Sequence, residues 1–242
     1  MLGTMPYEPL EYHPAFEEYS ETVFGLGEEG VEVIQARIAE RLSVSRPAVS
    51  EMIRRMETEG LVEVDEGGRI TLTDEGGELA TTVVRRHRLA ERFLTDVLGL
   101  GWTDAHSEAG RWEHVISPIV EAAMVKVLDN PTTCPHGNPI PGTNYVRPTR
   151  ASALVDLGVG GQFRVERIPE ELEHQKGQLA YLEQAGMTPG RVGEILAIAP
   201  DGTTTVSLDG VPMGLSAFAA SRIIVTASSQ PVSDSGNTRL SS

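Results

Sequence analysis

Histidine and carboxylate side chains cluster in the stretch HSEAGRWEHVIS, which runs from His106 to Ser117. Imidazoles and carboxylates are common ligands of divalent metal ions in proteins. On a helix, His106 and Glu113 would lie only about 20° apart around the axis but roughly 10 Å apart along it, so one ion does not easily bind both. We therefore predict that Glu113 and its neighbour His114 serve one metal site and that His106 serves another.

A second pair of the same kind lies upstream in the segment HRLAE. His87 and Glu91 stand four residues apart and therefore share one face of a helix. The ordinary alternative for each of these residues is a solvated or structural side chain on an amphipathic helix. The coincidence of the two pairs favours two metal sites along one pair of helices.

The composition is that of an ordinary globular protein, with 242 residues, 40% of them hydrophobic and 23% charged, which is enough for two or more domains. No apolar run approaches the length of a membrane helix, and the start of the chain lacks the features of a secretory signal. We expect a cytoplasmic protein with no membrane partner. The single cysteine, Cys134, excludes an intrachain disulfide.

The net charge of −15 argues by itself against a nucleic-acid partner, but the charge is unevenly distributed. The segment Gln35–Arg55 has five arginines against two glutamates, and Thr82–Arg92 has four arginines against one glutamate. Concentrated basic segments in an acidic protein are typical of a DNA-binding surface.

The first third of the chain predicts a winged helix-turn-helix, a fold whose third helix enters the DNA major groove. Apolar spacing predicts a helix over Phe16–Leu26, a second helix in VIQARIAERL and a third that Ser45 caps, and LVEVDEGGRITLTDEG predicts a hairpin. An interaction domain with solvated arginines is the alternative. The residues predicted to contact bases are Ser45, Arg46, Ala48, Ser50 and Glu51, and those predicted to hold phosphates are Arg37, Arg54 and Arg55. Pro47, in the first turn of the same helix, is also predicted to contact DNA.

The rest of the chain predicts two more helices and a small β domain. The helices cover roughly Gly76–Leu98 and Thr103–Leu128 and are separated at GLGWTD. Further on, FRVERI, RVGEILAIA, TTTVSLDG and RIIVT are typical of strands, and one helix is predicted near QLAYLEQAG. The final SSQPVSDSGNTRLSS is polar without apolar periodicity and predicts a disordered tail.

Taken together, these segments resemble the diphtheria-toxin-repressor family of metal-dependent transcriptional repressors, which includes iron and manganese regulators. QARIAERL, VSEMIRRMETEGL, LTDEG, VVRRHRLAERFLTDVLGL, RWEHVIS and NPIPG carry the resemblance, from about Glu17 to Gly142. It implies an α+β, mainly α fold. The expected parts are a winged helix-turn-helix DNA-binding domain (1–75), a helical dimerisation and metal-binding domain (76–142), a linker (143–160), an SH3-like or FeoA β-barrel (161–227) and a disordered tail (228–242).

The resemblance also implies sets of metal ligands. One site would use Glu18 and Glu21 of the first helix together with His87, Glu113 and His114, and an ancillary site would use His87, Glu91, His106, Glu170 and Glu173. Cys134 and His136 resemble a loop that contributes ligands in some streptococcal-type manganese regulators, although an ordinary loop cysteine is an equal alternative. His87 is claimed by both sites. The chain departs from both branches of the family at Gly110, a position where the family has a ligand side chain.

The function implied by the resemblance is a homodimeric repressor, not an enzyme, that binds a palindromic DNA operator when it holds two or more divalent cations per subunit. Because the first ligand set contains oxygen and imidazole but no sulfur, it favours Mn²⁺ over Fe²⁺. The alternatives are an iron-responsive regulator, or a metal buffer or metalloenzyme on a winged-helix scaffold.

Overall fold

The computed structural model describes residues 14–228, so nearly all of the predicted disordered tail lies outside the described residues. The chain forms two units. The first comprises the described residues up to Leu94 together with Ser107–Pro131 and Ile140–Thr143, and the second comprises Thr95–His106, Thr132–Pro139 and the residues from Asn144 onward. Within the described residues, no helix is long and apolar enough to cross a membrane.

The N-terminal part of the first unit is a winged helix-turn-helix, as the sequence predicts. Apolar side chains of all its elements form one core, which includes the fully buried Ile38, Val49 and Met56. The register of the wing pairs Val62 with Leu72. Its elements are α1 (Pro14–Glu28), α2 (Gln35–Leu42), α3 (Arg46–Thr58) and an antiparallel pair of strands, β1 (Val62–Val64) and β2 (Ile70–Leu72).

Local sequence determines where α3 begins and which face it buries. The Ser45 hydroxyl accepts a hydrogen bond from the Ala48 amide, and a proline stands in the first turn, where a missing N–H costs nothing. Val49, Ile53 and Met56 recur at helical spacing and are buried. The opposite face of α3 is therefore left exposed.

The helical part that follows differs from its prediction at one point. The structure has α4 (Asp74–Asp96), α5 (Trp102–Trp112) and α6 (Pro118–Val127), so the single helix predicted over Thr103–Leu128 is wrong. The helix ends because Ser117 takes an extended conformation and caps a new helix, in which Pro118 occupies the first position. Glu113 and His114 consequently lie in a turn just beyond α5 rather than inside a helix.

Close packing fixes the start of α4 against the end of the winged helix. The Thr73 hydroxyl donates to the Gly60 carbonyl, and the Gly76 amide donates to the Thr73 hydroxyl. A Cβ placed on Gly76 would stand 1.9 Å from the Leu61 carbonyl oxygen, a distance that no side chain tolerates. Glycine is therefore required for this approach of α4 to the backbone.

The second unit contains an antiparallel sheet with the strand order β3-β8-β4-β5-β6-β7. Its core is apolar and includes the fully buried Phe163, Ile195 and Val225. The described elements are β3 (Ser152–Ala153), a 3-10 turn (Leu154–Leu157), β4 (Gln162–Arg167), α7 (Glu170–Glu173), α8 (Gln178–Gln184), β5 (Val192–Ile198), β6 (Thr204–Leu208), β7 (Val211–Leu215), α9 (Ala217–Arg222) and β8 (Ile224–Ala227).

Five elements of this unit were not predicted, and two of them lie in the expected linker. β7, α7 and α9 are short and lack a clear apolar period, so local pattern does not reveal them. β3 and the 3-10 turn lie within the segment 143–160, which was predicted to be a linker. Ser152 pairs with Val225, so the end of that segment is part of the sheet.

Substituting Gly76 tests the joint between the wing and α4. Gly76→Ala should lower the free energy of unfolding by about 1–3 kcal/mol, because the new methyl group collides with the Leu61 carbonyl. Gly77→Ala is the matched control, since its Cβ meets nothing within 4 Å and should stabilise the helix by up to about 1 kcal/mol. Urea unfolding measures both, and equal shifts would contradict the packing argument.

Candidate metal centre

Five side chains of the first unit form a continuous chain of alternating carboxylates and imidazoles. His87 Nε2 lies 3.2 Å from Glu91 Oε1, and His87 Nδ1 lies 2.5 Å from Glu113 Oε2. The other oxygen of Glu113 lies 3.2 Å from His114 Nε2, and His114 Nδ1 lies 2.5 Å from Glu17 Oε2. The chain thus connects α1, α4 and the turn after α5.

The first helix contributes Glu17 to this cluster in place of the predicted Glu18. Glu17 is 1% exposed and contacts His114, whereas the predicted ligand Glu18 is exposed. The apolar residues of α1 explain the difference, because Phe16 and Tyr19 pack into the core and turn Glu17 inward with them. Glu21, the second predicted acid, lies close to the imidazole of His87.

Glu21 and two members of the chain could hold a metal ion together. Glu21, His87 and Glu113 each offer one ligand atom, and these atoms all lie within 4.8 Å of one another. The donors are two carboxylates and one imidazole, a set that suits a divalent cation of the Mn²⁺ or Fe²⁺ kind. The residues present therefore fit such an ion.

Burial and the neighbouring carboxylates act in opposite directions on the pKa of the two imidazoles in this cluster. For His87, burial opposes the charged form, but the adjacent Glu91 and Glu113 outweigh it and raise the pKa of the imidazole well above its usual value. For His114, the hydrogen bond to Glu17 raises the pKa of the imidazole. A metal ion that binds either imidazole would therefore compete with a proton more strongly than at an ordinary histidine.

A second cluster lies within the C-terminal unit around the carboxylate of Glu173. Glu173 Oε1 accepts from Asn138 Nδ2 at 2.7 Å and lies 3.0 Å from His136 Nδ1, while Glu173 Oε2 lies 3.2 Å from His106 Nδ1. Glu170, one turn earlier, is also buried. The predicted residues His106, His136 and Glu173 thus do meet, and Asn138 joins them.

Asn138 could not be found by searching for metal ligands, because an amide is a weak signal in a sequence. Its position follows from the loop CPHGN, in which the Gly137 amide donates to the Cys134 carbonyl. A Cβ on Gly137 would stand 2.2 Å from the Glu166 carbonyl oxygen, so the loop packs tightly on the end of β4. Cys134 is 1% exposed, and its sulfur lies 3.8 Å from His136 Nδ1.

The position of Gly110 leaves room for another ligand. A Cβ on Gly110 would meet nothing within 4 Å. Glu108, two residues earlier, forms a surface ion pair with Arg111 at 2.5 Å.

The predicted DNA-contacting residues lie on the exposed side of the winged helix. Ser45, Arg46, Pro47 and Ala48 at the start of α3 are exposed. Further along α3, Arg54 pairs with Glu51 at 2.9 Å, both side chains being largely exposed. On α2, Arg37 pairs with Glu40. Ser50 is half-buried, and the Arg55 guanidinium lies 5.2 Å from the centroid of the Phe16 ring of α1.

Three family models match the chain in succession. Residues 12–68 match the model described as the N-terminal DNA binding domain of the iron dependent repressor, and residues 73–142 match its metal binding and dimerisation domain. Residues 153–227 match the FeoA domain. The order of these matches is that of the elements described above.

Full-length relatives are similar over most of the chain. The iron-dependent repressor IdeR of Mycobacterium tuberculosis is 42% identical over 216 residues, which cover 80% of this chain and 88% of that protein. The diphtheria toxin repressor of Corynebacterium diphtheriae is 40% identical over 202 residues, with 80% and 88% covered.

Solved structures with the same fold include a manganese-dependent repressor and an IdeR protein. A manganese-dependent transcriptional repressor in complex with manganese matches with a TM-score of 0.77 and 33% identity, covering 88% of this chain and 99% of that one. The IdeR of T. acidophilum matches with a TM-score of 0.70 and 27% identity, covering 88% and 97%.

The raised pKa of His87 makes the stability of the metal-free protein depend on pH. A group whose folded pKa exceeds its unfolded value, about 6.5 for histidine, stabilises the fold fully below that value and loses the contribution as pH rises through the folded pKa. With chelator present, the free energy of unfolding measured by urea titration should therefore fall as pH rises above about 6.5, by at most about 1.4 kcal/mol per pH unit per group.

His87→Gln should flatten this dependence, and an NMR titration of the wild-type imidazole supplies an independent measurement. An identical pH slope in the variant, together with an ordinary His87 titration, would contradict the assignment.

Proposed function

The chain belongs to the family of iron-dependent repressors, and we propose that within this family it is a Mn²⁺-responsive repressor that binds a palindromic operator as a homodimer. Its relatives are DNA-binding, metal-dependent repressors and not enzymes. The observation that carries the proposal is the convergence of Glu21, His87 and Glu113 from three segments of the first unit. Such a protein acts in the cytoplasm, where the operator DNA lies.

The preference for manganese rests on the chemistry of the donors. Glu17, Glu21, His87, Glu113 and His114 offer oxygen and nitrogen without sulfur, and hard donors of this kind suit Mn²⁺. Fe²⁺ and Zn²⁺ bind most such sets at least as tightly, so metal availability contributes to the selection. An iron-responsive protein is the second candidate, because the similar proteins from Mycobacterium and Corynebacterium are named for iron or diphtheria toxin regulation.

A second ion is proposed at the Glu173 cluster of the C-terminal unit. His106, His136 and Glu173 converge there, with Cys134 beside His136. A site that includes a thiolate would favour Zn²⁺ more than the first site does. The proposed content is therefore two or more divalent cations per subunit.

The first helix connects the proposed metal centre with the DNA-binding helix. The bound ion would supply positive charge that neutralises carboxylates from separate segments. Glu17 and Glu21 hold α1 toward His114 and His87, and the adjacent Phe16 lies beneath the guanidinium of Arg55 on α3. Fixing α1 thus fixes the surroundings of an arginine that we assign to a DNA phosphate.

The size of the response is limited by the metal's preference for the DNA-binding arrangement. Couplings of this type are typically about 1–3 kcal/mol, or roughly 5- to 150-fold in affinity. In the absence of metal, the hydrogen bonds of His87 to Glu113 and of His114 to Glu17 still join α1, α4 and the turn after α5, and the ion would hold α1 more firmly. A metal buffer on the same scaffold would take up metal without any change in DNA affinity.

The proposed dimer surface is the exposed apolar face of α6. Ile119, Val120 and Val127 of this helix are 73%, 45% and 62% exposed, and Met124 is its one buried residue. A helix with so much exposed apolar surface is typical of a protein-protein interface. The match of this segment to a dimerisation domain supports the assignment.

The central test compares DNA affinity with and without metal. Duplexes selected from a randomised library should bind the wild type roughly 5- to 150-fold more tightly with Mn²⁺ than with chelator. Glu113→Gln should abolish most of this gain and weaken Mn²⁺ binding at least about tenfold, because it removes a carboxylate from the group of three. Parallel titrations with Fe²⁺ and Zn²⁺ decide the metal preference.

Glu108→Gln is the matched control, since Glu108 forms a surface ion pair with Arg111 and the variant should behave as the wild type. A wild type whose DNA affinity responds to none of the ions would refute the proposal.

Disruption of the α6 surface tests dimerisation separately. Ile119→Asp places a charge on the exposed apolar face and should shift the protein from dimer to monomer in sedimentation equilibrium, by about tenfold or more in dissociation constant. Operator affinity should fall with it, while the monomer should still bind Mn²⁺. A variant that remains dimeric would place the interface elsewhere.

A further inference from the structure

Glu51 occupies the centre of the exposed face of α3. At 100° per residue it lies roughly 140–160° around the helix from each of the buried residues Val49, Ile53 and Met56. Its side chain is 65% exposed. In a winged helix whose third helix enters the major groove, this position faces the base edges.

The charge around Glu51 makes an acid unexpected there. Arg54 and Arg55, three and four residues later, lie on the same side of the helix as Glu51. Positive charge on this surface strengthens binding to DNA phosphates. Arg54 Nη2 donates to Glu51 Oε2 at 2.9 Å, but an exposed pair of this kind contributes little to the stability of a helix. The stability of the helix therefore does not explain why a carboxylate stands on the surface that would face DNA.

We propose that Glu51 is a specificity-determining residue that accepts a hydrogen bond from the N4 amino group of cytosine in each half of the operator. This inference rests on the proposed function and specifies which base the repressor selects. An ionised carboxylate is an acceptor only, and cytosine is the base whose major-groove edge presents an amino donor without a neighbouring acceptor. Adenine places N7 beside its amino group, and guanine and thymine present acceptors that repel the carboxylate.

Arg54 gives the carboxylate its orientation. It holds Oε2, so that Oε1 is the acceptor directed to the base, and its own positive charge offsets the repulsion between Glu51 and the phosphates. Glu51 thus supplies sequence selection, whereas the arginines of this helix supply affinity that does not depend on sequence.

The experiment selects duplexes from a randomised library with the full-length, Mn²⁺-loaded protein. The wild type should enrich cytosine at one position in each half-site, the two positions being related by the symmetry of the dimer. Glu51→Gln should replace this cytosine by adenine, because an amide can accept from N6 and donate to N7 at once. On matched duplexes that differ only at this position, the preference between cytosine and adenine should reverse, by roughly tenfold in each direction.

Glu57→Gln is the control, since Glu57 is an exposed acid on the same helix that lies to one side of the central face. It carries the same change of charge and should leave the base preference as in the wild type. If Glu51→Gln instead tightens binding to all duplexes equally, the carboxylate acts only as a charge and the proposal is overturned. An unchanged cytosine preference overturns it as well.

Failure of the proposed function gives a different result. In that case no metal ion improves binding of the wild type to any duplex, and the library shows no enrichment. Metal-dependent binding without a cytosine at the position that responds to Glu51→Gln leaves the repressor assignment intact and refutes the base assignment alone.

Discussion

The buried sequence of acids and imidazoles in the first unit is the interaction on which the rest of that unit depends. Three carboxylates, Glu91, Glu113 and Glu17, are almost inaccessible to water, and two imidazoles stand between them. Burying unpaired charge costs several kcal/mol, so these segments stay together only while protons or a cation balance the negative charge. α1, α4 and the turn after α5 are therefore joined by groups whose charge responds to solution conditions.

The two ends of α1 are held by different kinds of contact. At its C-terminal end, Glu28 accepts from Arg88, a fully buried guanidinium of α4, in a pair that needs no metal ion. At its N-terminal end, Glu17 contacts His114, a group that can gain or lose a proton. The C-terminal contact of α1 is thus an ion pair that does not depend on a metal ion, whereas its N-terminal contact involves a histidine that can gain or lose a proton. The N-terminal end is the one that lies beside α3. A change of pH or of ion concentration would therefore act at the end of α1 that lies beside α3.

Local sequence rules predicted much of the fold and part of the centre. The winged helix followed from the Ser45 cap, helical apolar spacing and the hairpin around EGG, all of which act over a few residues. The choice of Glu17 over Glu18 depends on how α1 packs against His114, 97 positions away in sequence. Asn138 enters its cluster because the tight turn at Gly137 places it beside Glu173. Contacts of this range leave no periodic signal, so the sequence predicted that carboxylates and imidazoles come together better than it predicted which of them do.

The break between α5 and α6 would make the response to the metal ion depend on the amount of protein in the cell. Only the turn that holds His114, followed by the highly exposed Val115 and the Ser117 cap, separates the acid–imidazole groups from the apolar face of α6. If that face associates with a second copy, self-association and ion occupancy strengthen each other by mass action. The number of repressor molecules per cell then becomes a second input, and the ion level at which genes are silenced falls as the protein accumulates.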